Sequence, residues 1–184
     1  MATKVKLIED GFGQLELNLV SFPRTGNIVA QYKAGTSFTT AEGKEKYLEN
    51  GMLLKVDGKN RCVEKAAPKA GDIYALNYST EHMYDERKYA LKDFYLNPLD
   101  DFYPRLGYLS VGDKFTTNCV CVASGNWTSL KTSFEKNEIY GGACADGYIE
   151  LTTTAPTVGP VLRVIEFTTM PDGQNAVKFE VIKA

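Results

Sequence analysis

The chain has 184 residues, of which 21 are basic and 23 are acidic, and its formal net charge is -2. A nearly neutral chain lacks the positive field that attracts nucleic acid or an anionic membrane, so we expect neither as a partner. A composition of 43% hydrophobic and 24% charged residues is typical of a folded protein and excludes global disorder. The sequence contains no apolar run of about 18 residues and no signal-peptide core, so we expect no membrane span and synthesis in a cytoplasm.

Strand signals open the sequence. Apolar and polar residues alternate at residues 15–19, and a second extended segment is predicted at residues 28–32, after a connection rich in proline and glycine. We therefore expect residues 1–33 to form a strand-rich N-terminal arm or hairpin, and residues 34–184 to form a β-rich body. The short helical candidate that follows, at residues 41–49, is weakened by a glycine inside it.

Turn dipeptides divide the next part of the body. Asn-Gly at residues 50–51 and Asp-Gly at residues 57–58 bound a predicted strand at 52–56, because these residues suit turns. Residues 70–77 and 111–118 share a small apolar residue, Gly-Asp, an aromatic residue and an asparagine at equal offsets. We interpret this echo as one turn chemistry used twice, since a repeat architecture needs at least about three stacked units.

The segment at residues 81–105 differs from its surroundings because it is rich in both aromatic and charged residues. A short helix is predicted at residues 85–91, and the prolines at 98 and 104 exclude a longer one. We interpret the segment as an excursion between strand regions, which is where contacts to other molecules are often found.

The C-terminal part has the clearest elements. Strands are predicted at residues 109–123 and 148–154, and then at 161–170 and 176–183, which a Pro-Asp-Gly turn joins into a hairpin. Short strands separated by turns predict a mainly β fold, either an antiparallel β-sandwich or a β-barrel, with a C-terminal hairpin and at most one or two short helices.

The four cysteines do not predict a disulfide framework, because the chain is long and we expect it to stay in a reducing compartment. Cys119 and Cys121 lie two apart in a predicted strand and therefore share one of its faces, where we expect small buried hydrophobic residues. Cys62, Cys144 and His82 are scattered and do not fit the ligand spacing of structural zinc sites. We expect no metal site and no cofactor.

The sequence gives no specific catalytic signal. The sequence has one histidine, His82, but lacks the Gly-x-Ser-x-Gly motif that would supply a serine nucleophile for it. It also has no phosphate-binding glycine loop. The carboxylates nearby alternate with basic residues, which is typical of a solvated face, so we expect no enzyme and no catalytic residue. A small hydrolase using a carboxylate pair is the alternative. Its candidate residues are Glu81, Asp85, Glu86, Asp100 and Asp101.

The aromatic residues of the same excursion offer a second alternative. They could stack on sugars or bases, as in a carbohydrate- or receptor-binding β module, but tyrosine beside arginine is also common at protein interfaces. We expect the protein interface. The residues are Tyr84, Tyr89, Phe94, Tyr95, Phe102 and Tyr103.

Two phrases of the sequence carry a resemblance to a known family. They are residues 48–58, Leu-Glu-Asn-Gly-Met-Leu-Leu-Lys-Val-Asp-Gly, and residues 104–118, Pro-Arg-Leu-Gly-Tyr-Leu-Ser-Val-Gly-Asp-Lys-Phe-Thr-Thr-Asn. Both are similar to phrases of the small auxiliary head proteins of tailed bacteriophages. These are the decoration, cement or head-fibre-base proteins on the outside of a capsid.

The resemblance implies a non-enzymatic virion protein with a β-rich fold. Such a protein would bind the lattice of the major capsid protein, decorate or stabilise the capsid surface, and assemble as a homo-oligomer, commonly a trimer. A cement protein gains affinity from many contacts with a repeating lattice, so each interface can be modest. We also expect that the N-terminal arm could reach a neighbour by strand addition.

Overall fold

The structure is a computed structural model. It describes residues 4–16, 20–21, 27–79, 103–123 and 127–184, and the backbone of residues 95–96. The strands are β1 (Lys4–Lys6), β2 (Ile28–Val29), β3 (Lys33–Ala34), β4 (Leu48–Glu49), β5 (Leu53–Asp57), β6 (Cys62–Glu64), β7 (Tyr74–Asn77), β8 (Tyr95–Leu96), β9 (Leu106–Tyr108), β10 (Lys114–Thr117), β11 (Val120–Ala123), β12 (Tyr140–Ala143), β13 (Ile149–Thr152), β14 (Val161–Thr169) and β15 (Asn175–Lys183). The helices are α1 (Thr36–Thr39) and α2 (Trp127–Phe134), and a 3₁₀ turn spans Gly43–Lys46.

The strands form two large sheets and one small one. The first sheet has the order β1-β11-β13-β12-β14-β15-β10, the second has the order β2-β9-β7-β5-β6-β3, and β4 pairs with β8. Neighbours are antiparallel except for β11 with β13 and β3 with β6, which are parallel. Both large sheets have two edge strands and together enclose the core. The prediction of a mainly β, sandwich-like fold is confirmed.

The C-terminal hairpin is confirmed in detail. Strands β14 and β15 pair from Val161 to Thr169, and every second residue of β15 faces the core. Gly173 has a φ of +90° in the turn, which only glycine adopts at little cost, and the Asp172 carboxylate accepts a hydrogen bond from the N–H of Gln174 at 3.1 Å. The sequence pattern and the turn chemistry therefore act together to fix the register.

The two central strands of the second sheet, β5 and β7, are buried on both faces. Leu53 and Leu76 pair across the strands and pack into one hydrophobic cluster, which is built mostly by the first sheet. Their neighbours Leu54 and Ala75 point the opposite way, into a second cluster with Cys121. Full burial of a leucine side chain stabilises a fold by about 1.5–3 kcal/mol, so these strands anchor both clusters.

The helices differ from the expectation. The helical candidate at residues 41–49 was wrong for most of its length: it contains one 3₁₀ turn, and its last two residues form β4. Helix α2 was not predicted. It packs Trp127 and Phe134 edge-on against Phe167 of β14, with ring centroids 5.0 and 5.3 Å apart. Neither described helix has the length and apolar character that a bilayer crossing requires.

The described parts of residues 1–33 pair with strands of the body. Strand β1 pairs with β11, and β2 pairs with β9. Between them, Leu15 and Ser21 form isolated bridges to Thr117 and Lys114 of β10. A hairpin between residues 15–19 and 28–32 is not seen in the described residues of these segments, because Leu15 contacts β10 and Ile28–Val29 pairs with β9. The boundary at residue 33 stays a prediction.

Candidate binding surfaces

A groove of about 560 Å³ opens where the two large sheets meet, and we call it the first groove. It lies at the start of β7 and β14 and at the end of β9 and β15. Its walls are the turn at residues 70–73, Tyr108 and Leu109, the loop at residues 157–160, and residues 183–184. Four distant segments of the chain thus form one concave surface.

Exposed apolar side chains lie in and next to this groove. Ile73 and Val158 line it, with 60% and 36% of their surface exposed. Val111 is 66% exposed in the turn beyond Leu109, and the N–H of Gly112 ties that turn to Val181 near the end of β15. Single exposed hydrophobic residues are normal, but a group of them around a concavity is typical of a contact site.

Two charged side chains of the first groove are engaged within the protein. The Asp72 carboxylate lies 2.7 Å from the ammonium group of Lys55, and Lys183 donates to the carbonyl of Thr157 at 3.4 Å. Burial raises the pKa of Tyr74 and of Tyr108 to about 12, so both hydroxyl groups are neutral at pH 7. The walls therefore offer apolar contact with a paired polar rim, which suits a protein partner.

A second groove, of about 540 Å³, lies beside β3, β6 and α1. Tyr103 is 44% exposed there, and the Lys33 ammonium group lies 5.0 Å from the centre of its ring. Glu64 is already engaged: its carboxylate accepts hydrogen bonds from the N–H groups at the start of α1. Arg61 lines the groove with a φ of +54°, the left-handed region that residues other than glycine rarely adopt.

Among the carboxyl groups that the structure describes, the one whose pKa is raised furthest is buried away from both grooves. Glu49 is 2% exposed and accepts a hydrogen bond from the N–H of Gly13 at 2.6 Å. Burial raises the pKa of Glu49 to about 7, although the Gly13 N–H and the positive charges of Lys6 and Lys44 act in the opposite direction. A substrate could not reach this carboxyl group without opening the fold, so we assign it a structural role.

Buried amides extend this polar cluster beneath the turn between β4 and β5. Asn50 pairs with the backbone of Ser79 through two hydrogen bonds of 2.9 Å, and Asn77 donates to the carbonyl of Glu49 at 2.8 Å. The hydroxyl of Ser79 donates to Asn77 at 2.8 Å. Buried polar groups that satisfy one another in this way hold the turn against β7.

The predicted burial of the cysteine pair on one strand face is confirmed. Cys119 and Cys121 lie in the second hydrophobic cluster together with Cys144, whose sulfur is 3.7 Å from that of Cys121. Cys62 is half-buried at the second groove. Within the ranges that the structure describes, no three potential metal ligands of the His, Cys, Asp or Glu type converge.

Most residues named in the sequence-based alternatives lie outside the described ranges. This holds for His82, for the predicted helix at 85–91 and for all five candidate carboxylates; of Tyr95 only the backbone is described. Tyr103 alone of the aromatic set has a described side chain, and it lines the second groove. The first groove was not predicted. No protein-family model, no curated protein and no solved structure matches the chain.

Proposed function

We propose that this chain is a non-enzymatic structural protein of a virus particle, which binds the outer capsid surface of a tailed bacteriophage and decorates or stabilises it. The observation that carries the proposal is the first groove with its exposed residues Ile73 and Val158. The resemblance of residues 48–58 and 104–118 to auxiliary head proteins suggests the capsid lattice as the partner.

The composition of the first groove supports a protein partner. Interfaces combine a desolvated apolar centre with a polar rim, and here Ile73 and Val158 would form the centre. The ion pair between Asp72 and Lys55 would lie at the rim, where paired charges cost little to retain. A repeating capsid lattice would multiply a modest contact of this kind into stable attachment.

The position of the resembling phrases supports the same surface. Residues 48–58 form the β4–β5 region of the core, whereas residues 104–118 contain β9, β10 and the turn that joins them. That turn carries Val111, and the end of β9 contributes Leu109 to the first groove. One phrase of the resemblance therefore lies at the surface for which we propose capsid contact.

Co-sedimentation with purified capsids of candidate phages tests the proposal, with light scattering to measure the oligomeric mass. We expect a discrete oligomer that sediments with capsids, and we expect Ile73→Asp to weaken binding at least about tenfold without lowering the melting temperature. Ile165→Asp is the matched control, because Ile165 is an exposed apolar residue on β14 that does not line the first groove. A wild-type protein indifferent to capsids would overturn the proposal.

The second groove favours one further candidate, a carbohydrate-binding module. An exposed tyrosine ring beside Lys33, Asn60 and Arg61 offers both a stacking face and hydrogen-bond donors for a sugar. A glycan array followed by ligand-induced melting shifts tests it. Tyr103→Ala should abolish the shift and Tyr103→Phe should keep it, because stacking requires the ring and not the hydroxyl group.

A further inference from the structure

Two buried thiols lie in contact across the first sheet. Cys121 belongs to β11, and Cys144 follows β12 directly, with β13 between these strands in the sheet. Their sulfur atoms are 3.7 Å apart, and both residues are free cysteines. Cys62 points its thiol towards Glu64, whereas Cys119 lies in the same cluster as the pair and is close enough to both Glu49 and Cys144 to interact with them electrostatically.

We propose that Cys121 and Cys144 form an intramolecular disulfide when the protein meets a peroxide, and that the dithiol is its precursor. A disulfide needs a sulfur–sulfur distance of about 2.05 Å, so the two sulfur atoms must approach by roughly 1.7 Å. Cys144 begins a turn that Gly147 closes with a φ of +79° and a hydrogen bond of 3.1 Å to the Cys144 carbonyl. Because β13 lies between the two strands, bond formation requires a shift of this turn towards β11 as well as rotation of both side chains.

Cys144 is the sulfur that reacts first. The neighbouring Cys121 thiol, a hydrogen bond donated by the backbone N–H of Asp146 and the positive charge of Lys4 together lower the pKa of Cys144 against the opposing effect of burial. A thiolate is the nucleophilic form of cysteine, and the contact between the two thiols raises the pKa of Cys121. The pair therefore contains one nucleophile and one protonated resolving thiol.

The reaction balances with one peroxide molecule. The Cys144 thiolate attacks one oxygen of hydrogen peroxide, the O–O bond breaks, hydroxide leaves, and Cys144 becomes a sulfenic acid. Cys121 loses its proton and attacks the Cys144 sulfur, which forms the S–S bond and expels the second oxygen as hydroxide. The released protons convert the hydroxide to water, so two thiols and one peroxide give one disulfide and two water molecules.

Access to the pair is controlled by the edge strand β1. Lys6 is the register partner of Cys121, and its ammonium group lies 4.5 Å from the centre of the Tyr148 ring, over the same cluster. The strand has only three residues, and an ion pair of 2.8 Å between Lys4 and Glu150 helps to hold it. Short edge elements open locally at low cost, and such opening would admit a molecule as small as a peroxide.

The cross-link would join the two ends of the segment 121–144, which contains α2 and β12. The two cysteines are 23 positions apart in sequence. Closing a loop of this size lowers the entropy of the unfolded chain, which predicts a rise in melting temperature of roughly 5–10 °C. Because reducing compartments keep thiols reduced, the bond would form only after the protein leaves such a compartment.

Peroxide treatment of the purified full chain tests the proposal. Intact mass should fall by two hydrogen atoms, and peptide mapping after thiol blocking should show that Cys121 is linked to Cys144. The melting temperature should rise, and a thiol reductant should reverse the cross-link and this rise. Cys144→Ala should lose all three effects, whereas the matched variant Cys62→Ala should keep them.

Three results would overturn the proposal. One is a wild-type protein that keeps all four thiols free after peroxide treatment, and another is a cross-link that joins other cysteines. The third is conversion of Cys144 to sulfinic acid without a disulfide. The wild-type peptide map decides among these results even if an alanine variant does not fold.

Discussion

Asp72 and Asp113 occupy equivalent positions in two turns of the same geometry. Each carboxylate accepts a hydrogen bond from the backbone N–H three residues earlier, from Lys69 at 3.1 Å and from Ser110 at 2.7 Å. Each turn also has a glycine with positive φ directly before the aspartate. The echo between residues 70–77 and 111–118 is therefore a shared turn, as the sequence indicated.

The two aspartates differ in the rest of their surroundings. A hydrogen bond from the Lys55 ammonium group lowers the pKa of Asp72. Asp113 is fully buried, burial raises its pKa, and no described residue lies within hydrogen-bond distance of its Oδ1 atom. One turn motif thus holds an ion pair at the first groove and a poorly solvated carboxylate in the interior.

We expect Asp113→Asn and Asp72→Asn to have opposite effects at neutral pH. Neutral Asp113 stabilises the fold at low pH, and this stabilisation is lost as the pH rises through the raised pKa of Asp113. Asp113→Asn keeps a neutral side chain at pH 7, so it should leave the free energy of unfolding unchanged or increase it by up to about 1 kcal/mol. Asp72→Asn loses an ion pair that is present above the ordinary aspartate pKa and should cost up to about 1 kcal/mol. Urea unfolding at neutral and acidic pH measures both variants. A large loss of neutral-pH stability in Asp113→Asn would contradict this prediction.

Glu49 should make the stability of the protein depend on pH. Because burial raises its pKa to about 7, its stabilising effect is complete below the pH at which an unfolded glutamate titrates and is lost as the pH rises to about 7. The size of the effect is on the order of 3 kcal/mol. We expect Glu49→Gln to remove this dependence between about pH 4.5 and pH 7, as measured by the free energy of unfolding across that range.

The control for this prediction is Glu45→Gln, a neighbouring substitution of the same kind at a side chain that is 68% exposed. It should keep the wild-type pH profile. Equal profiles for Glu49→Gln and the wild type would show that Glu49 is not the titrating group.

Local patterns predicted the parts of the fold that local forces determine. The C-terminal hairpin was predictable because buried and more exposed residues alternate from Val177 to Val181 in β15 and Pro-Asp-Gly permits one tight turn. The shared face of Cys119 and Cys121 follows from strand geometry alone. Helix α2 also had a local signal, since Trp127, Leu130 and Phe134 have the spacing of a helix face.

The parts that were missed depend on distant segments. The strand predicted at residues 52–56 is present as β5, but the packing of Leu53 and Leu54 into different clusters and the parallel pairing of β11 with β13 have no local signature. Leu15 and Ser21 form bridges to β10, about a hundred positions away, rather than to the next strand. The first groove combines four segments, and no single phrase of the sequence could have indicated it.

Gly51→Ala should destabilise the protein strongly. Gly51 has a φ of +81°, and a Cβ atom there would collide with Thr117 Oγ1 and lie 2.9 Å from Cys119 Cβ. Since both neighbours are buried, the clash cannot relax into solvent, and we expect a loss of at least about 2 kcal/mol. The matched control is Gly58→Ala, where no atom lies within 4 Å of the added Cβ. Thermal unfolding of both variants measures the difference, and equal midpoints would contradict the assigned geometry.

Arg61→Gly should stabilise the protein. Arg61 has a φ of +54°, a conformation that costs a residue with a side chain about 1–2 kcal/mol, and glycine would relieve most of this cost. After subtraction of the entropy that glycine adds to the unfolded chain, we expect a gain of about 0.5–1 kcal/mol in the free energy of unfolding. Lys59→Gly in the same turn is the control and should destabilise, because the φ of Lys59 is not positive. Chemical denaturation of both variants measures the backbone strain, and glycan binding measured in parallel tests the role of the guanidinium group. A stabilised Arg61→Gly that no longer binds sugar would indicate that the strained arginine contributes to binding at the second groove. A destabilised Arg61→Gly would show that the arginine side chain contributes more to the fold than its backbone conformation costs.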